Sequence, residues 1–135
     1  MPTVNVSLNN VAGTEAAMGW AGSHTIVADR PVGIAGGLGL GFNGAELLAL
    51  AIGGCFCNDL RYVAHKRGVV IDEICVGVTL NLEGEPIVAT SAEMIVACKT
   101  RDGSEPTQIV EEAKASCMVS NSISMGVPVS ISMSA

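Results

Sequence analysis

The stretch "FNGAELLALAIGGCFCNDLRYVAHKRG", residues 42–68, decides the fold. Asn43 is a good N-cap, and Gly68 follows the cations His65, Lys66 and Arg67, the order expected at a helix C-terminus. Between these signals the first half is apolar on nearly every side, which predicts a buried helix. Gly53 and Gly54 interrupt it, although glycine inside a helix costs roughly 1 kcal/mol relative to alanine. The pair therefore marks a need for space, either for a second backbone or for something that approaches Cys55. Cys57 follows Cys55 by two positions, about 200° around the helix, and so faces elsewhere as a packing residue.

Upstream, residues 30–44, "RPVGIAGGLGLGFNG", hold six glycines and one proline and read as a long loop leading into the helix. The run "GGLGLG" at 36–41 lacks both the preceding strand and the Lys-Ser/Thr of a phosphate-binding P-loop, so no phosphate site is assigned. The first thirty residues alternate loosely, with turn signals at Asn9-Asn10, Gly13 and Gly22, as in a short antiparallel meander. Downstream, "VVIDEICVGVTLNL" (69–82) and "TSAEMIVACKT" (90–100) are rich in β-branched residues and flank a Gly-Glu-Pro turn, which predicts an antiparallel hairpin. Pro106 to about Val119 reads as an amphipathic helix. Ile109, Ala113 and Cys117 recur on its inward face. A last strand, "VPVSISM", is expected after Gly126. The order βββ-α-ββ-α-β gives an α+β class, and residues 1–135 are expected to form a single domain.

Apolar residues make up 49% of the chain, charged residues 15% and aromatics only 3%, so the core is built from aliphatic side chains. So little charge suits a surface covered in an oligomer. The net charge is −6, and no basic run exceeds Lys66-Arg67, which excludes nucleic acid as the main partner. Neither a basic, apolar leader nor an apolar run of about 18 residues is recognised, so no membrane contact and a cytoplasmic location are expected. Five cysteines without an export signal point to free thiols rather than a disulfide framework. Cys55, Cys57 and Cys117 do not converge for zinc, and His24 and His65 have no partner at ligand spacing, so no metal site is expected.

The motifs "FNGAELLALAIGGCF" and "ASCMVSNSISMGVPV", together with "HTIVADRP" before a Gly-Gly loop, resemble the OsmC/Ohr family of osmotically inducible and organic hydroperoxide resistance proteins, in its OsmC-like branch. The resemblance spans nearly the whole chain. It implies an OsmC-like fold, an antiparallel sheet wrapped around two central helices in an intertwined homodimer with active sites at the interface. It also implies a thiol peroxidase that reduces a small organic hydroperoxide. By motif position Cys55 is the peroxidatic thiol and Cys117 resolves its sulfenic acid. A dithiol such as a lipoylated protein restores the pair, and no bound cofactor is required. The family's Asn-Pro-Glu-Glu/Gln falls on Asn43, Gly44, Ala45 and Glu46, which places alanine at the first acidic position. Residues 1–29 lack the arginine used by the Ohr branch, and Arg30 is the nearest substitute. Glu46 lies roughly 14 Å from Cys55 along the helix axis. No catalytic Glu or Arg is therefore carried over. Without an adjacent cation, and with Asp59 one turn away, the Cys55 pKa is expected to stay near or above about 8.5. The second reading is a non-catalytic member of the fold that holds a small apolar ligand or partner, with its cysteines as packing residues.

Overall fold

The computed structural model describes residues 2–134. The chain divides into two compact units, residues 1–48 and 49–135, with the division falling inside the long helix.

In the first unit, β1 (Ser7–Asn10), β2 (Ala17–Ala21) and β3 (His24–Ala28) form the expected meander, an antiparallel sheet in the order β1-β2-β3. The glycine-rich loop that follows is organised around one buried carboxylate. Asp29 is 5% exposed, and it accepts backbone N–H groups from Leu38 at 3.1 Å, Leu40 at 3.0 Å and Arg30 at 2.8 Å. These bonds favour the anion and hold the Asp29 carboxyl below the usual carboxylate range, the Leu40 amide contributing most. The loop then runs back along β3, with the Phe42 N–H donating to the Val27 carbonyl at 2.9 Å and the Asp29 N–H to the Phe42 carbonyl at 3.0 Å. Gly41 is required there, because a Cβ would collide with the Val27 carbonyl.

The long helix α1 spans Gly44–Arg67. Its N-terminus is a reciprocal capping box. Asn43 Oδ1 accepts the Glu46 N–H at 2.9 Å, and the Asn43 N–H donates to Glu46 Oε1 at 2.9 Å. Its C-terminus closes in a Schellman motif. Gly68, at φ 69°, donates to the His65 carbonyl at 3.2 Å, and Val69 donates to that of Ala64 at 2.9 Å. By length and composition α1 is apolar enough to cross a membrane, with a mean hydropathy of 1.3 over an 18-residue stretch. One of its faces nevertheless carries the core of the second unit, through Phe56, Leu60, Val63 and Ala64, which is the behaviour of a core helix.

In that unit β4 (Ile71–Glu83) and β5 (Val88–Thr100) form an antiparallel hairpin, separate from the first sheet. Ile74, Val76, Met94, Val96 and Cys98 lie on its inner face against the core, while Cys75, Ile95 and Lys99 point outward. The amphipathic helix α2 (Thr107–Ser116) adds Ile109 and Ala113 to the core. Lys66 and Arg67 of α1 tie to Glu112 of α2 at 3.1 and 2.8 Å.

Two expectations fail near the C-terminus. A third helix, α3 (Met118–Met125), follows α2 at once and ends on Gly126, at φ 76°. Residues 127–134 are not a strand and are exposed. Val127, Val129, Ile131 and Met133 alternate as a half-buried strand would, but such a strand needs a neighbour to satisfy its backbone, and the segment has none among the described residues.

Candidate functional site

The site is assembled from two places in the second unit. Cys55 and Asp59 stand four residues apart on α1, hence on one face of the helix. Cys117 comes from the junction of α2 and α3, and this corrects the expectation that it sits on the inward face of a helix. Its backbone is extended (φ −64°, ψ 110°), and it serves at once as C-cap of α2 and N-cap of α3. The break is locally stabilised: Asn121 Nδ2 donates to the Ala115 carbonyl at 3.2 Å, and the Asn121 N–H donates to the Cys117 carbonyl at 3.0 Å, opening the next helix. The Cys117 side chain lies in the core, where it is completely buried.

Both thiols are free, and the reactive atoms of Cys55, Asp59 and Cys117 all lie within 4.8 Å of one another. The half-buried Cys55 thiol donates to Asp59 Oδ2 at 3.6 Å. Burial pushes the Cys55 thiol up. Its hydrogen bond with Cys117 and the Asp59 charge act in the same direction, while the Val119 amide, in the first turn of α3, opposes them by favouring the thiolate. The direction expected from the sequence is therefore found, together with its opponent. Asp59 was legible as a neighbouring charge. The Val119 contribution had no sequence signal, because any residue supplies a backbone N–H.

The other residues have structural roles. Glu46 is engaged in the capping box, and Ala45 offers no polar group. The Arg30 guanidinium donates to the Glu15 carbonyl and to Asp29 at 3.2 Å, so it serves the loop of its own unit. Gly53 does not clear room for a facing helix, because a Cβ there would meet Val78 of β4 at 3.0 Å. Gly54 borders open space, with nothing within 4 Å of where a Cβ would stand. Cys98 lies on the inner face of the hairpin, its thiol pushed up by burial, and Cys75 is exposed on the outer face.

Comparison with known proteins gives the family and the fold. A family described as OsmC-like protein matches residues 36–132. Among solved structures, an OsmC-like protein of unknown function from Vibrio cholerae superposes with a TM-score of 0.75 at 13% identity, covering 90% of this chain and 94% of that one. An organic hydroperoxide resistance protein from Legionella pneumophila gives 0.62 at 17% identity, with coverages of 91% and 90%. The organic hydroperoxide resistance protein OhrB of Bacillus subtilis gives 0.59 at 21% identity, with coverages of 93% and 92%. No curated protein sequence matches the chain. The matched family covers most of the chain, both of its cysteine motifs included, and the chain belongs to the OsmC-like protein family.

Proposed function

We propose that the protein is a thiol-dependent peroxidase that reduces small organic hydroperoxides through Cys55, with Cys117 as resolving thiol. The reading is carried by one observation: two free cysteines far apart in sequence place their sulfur atoms within 4.8 Å, inside a largely apolar core.

The chemistry balances without a bound group. The Cys55 thiolate attacks the terminal oxygen of R–OOH, the O–O bond breaks, and the alkoxide leaves as ROH once protonated. Cys55 becomes a sulfenic acid, and the Cys117 thiolate then attacks its sulfur and expels hydroxide, which takes up the proton Cys117 gave up and leaves as water, forming a disulfide before over-oxidation. A dithiol such as that of a lipoylated protein returns both cysteines to thiols by two exchange steps. An S–S bond of about 2.05 Å requires the two sulfurs, which lie within 4.8 Å of one another, to close in. The apolar side chains packed around the two cysteines would favour an organic hydroperoxide over hydrogen peroxide. As a cytoplasmic protein it would work where thiols are kept reduced.

We assign the working form as a homodimer. The apolar groove of the meander sheet, lined by Val6, Leu8, Trp20 and Ile26, and the exposed alternating residues 127–133 are surfaces that a second copy would cover.

The test is to treat the reduced protein with one equivalent of cumene hydroperoxide and map its disulfides by mass spectrometry beside Cys55→Ser. A rapid Cys55–Cys117 bond, absent from the variant, is expected. Free thiols after prolonged exposure would overturn the peroxidase reading.

A further inference from the structure

Asp59 has no part in the peroxidase chemistry above, yet it stands against both sulfurs and forms no ion pair among the described residues. A half-buried carboxylate facing two thiols lacks a cation. The expectation of no metal weighed Cys57 beside Cys55 and Cys117, and His24 and His65 for partners at ligand spacing; the structure brings Asp59 to the two sulfurs as the third donor instead.

The spacing fits a tetrahedral ion. With Zn–S near 2.3 Å and Zn–O near 2.0 Å, two sulfurs on one zinc lie roughly 3.8 Å apart, and a sulfur and a carboxylate oxygen roughly 3.5 Å apart. Cys55 Sγ and Asp59 Oδ2 are 3.6 Å apart, and all three donors fall within 4.8 Å. The donors also come from a supported frame: Cys55 and Asp59 share one face of a helix capped at both ends, and Cys117 is fixed between two helices.

We propose that the reduced protein binds one zinc-like divalent cation through Cys55 Sγ, the Asp59 carboxylate and Cys117 Sγ, leaving the fourth position to water or an exogenous ligand. Binding releases the two thiol protons to solvent, and the ion with its three anionic ligands carries a net charge of −1. A disulfide between the two cysteines removes two donors, so metal binding and the oxidised state exclude each other. The bound ion thereby protects both sulfurs from peroxide. Metal capture needs only the reduced geometry, and it stands whether or not the site turns over peroxide.

The experiment is an anaerobic titration of the reduced full chain with Co²⁺, followed by displacement with Zn²⁺ against a chromogenic chelator. One ion per chain is expected, with a near-ultraviolet thiolate-to-cobalt band and visible bands of tetrahedral intensity. Cys55→Ser and Cys117→Ser should each remove at least half of the charge-transfer band. Asp59→Asn should keep the band but weaken binding by at least about 10- to 100-fold, since loss of a direct ligand costs no less than loss of a partner that merely orients one. The triple variant Cys57→Ser, Cys75→Ser, Cys98→Ser should bind as the unaltered chain does. Wild-type protein supplies a readout independent of folding in the variants: Zn²⁺ should slow alkylation of Cys55 and Cys117, but not of Cys75. Absence of the charge-transfer band, its loss in the triple variant, or unchanged alkylation of Cys55 under Zn²⁺ would overturn the proposal. Failure of cumene hydroperoxide to form the disulfide would overturn the peroxidase reading alone.

Discussion

At the scale of single residues, the reactivity of Cys55 is set by opposing neighbours. Burial contributes most to raising its pKa, and Cys117 and Asp59 add to it, against the Val119 amide. Replacing Asp59 by asparagine keeps the shape and removes only the charge, so the Cys55 pKa must fall while burial continues to hold it up. Because the thiolate is the reactive form, the alkylation-against-pH curve of Cys55 should move to lower pH. Since burial is the largest cause and Asp59 a lesser one, the gain in alkylation rate at pH 7 should stay below about tenfold. Alkylation by iodoacetamide, with the Cys55 peptide quantified by mass spectrometry, measures this directly, and an unchanged curve would show that the carboxylate has no electrical hold on the thiol. Both cysteines were legible because their flanking motifs were, and Asp59 was legible as a charge. The position of Cys117 was not: Ile109, Ala113 and Cys117 share a helical spacing, and only the capping of the chain at Ser116 to Asn121 reveals that the last of them has left the helix.

At the scale of elements, the sequence is most readable where several local signals agree. The long helix carries an N-cap, terminal cations and a stop glycine, and α1 begins and ends within one residue of them. The hairpin was equally plain from its β-branched runs. The segment 118–125, "MVSNSISM", has serine and β-branched residues that argue against a helix by propensity, yet it is helical because Cys117 is anchored in the core and Asn121 bonds across the break. In the glycine loop, order depends on a residue whose role no periodicity reveals. Asp29 accepts three backbone N–H groups, and its lowered pKa means that this stabilisation is complete above the ordinary carboxylate pKa of about 3.9 and is lost as pH falls through the lower folded value. Amide exchange at Leu38 and Leu40 should therefore speed up in Asp29→Ala at neutral pH. In the unaltered protein, their protection should survive to below pH 4 and then fail, while the amides paired between β2 and β3 change little. Protection of Leu38 and Leu40 equal in the variant and the parent would refute this role.

At the scale of the whole molecule, the chain shows more apolar surface than one copy can bury. The charged fraction is 15%, and Val129, Ile131 and Met133 are 81%, 93% and 97% exposed. The strand expected over 127–133 does not form: alternate residues are apolar, but a pattern cannot name the chain that supplies the pairing edge. The hairpin β4–β5 is a two-stranded sheet, so the outer edges of both 13-residue strands carry backbone groups without a strand partner among the described residues. Exposed edges of that length invite pairing with another chain. A tail from a second copy would satisfy such an edge and bury its own alternate apolar side chains in the same step. The full chain should then sediment as a dimer at micromolar concentration. Truncation after Gly126 should leave the helical signal of α1 and α2 largely intact while shifting the species toward monomer and lowering the thermal midpoint, because mass action no longer stabilises the fold. Sedimentation velocity over a hundredfold range of concentration distinguishes the cases. A truncated chain that remains a dimer of unchanged affinity would place the interface on the meander sheet instead, and a monomeric full chain would remove the homodimer from the proposed mechanism altogether.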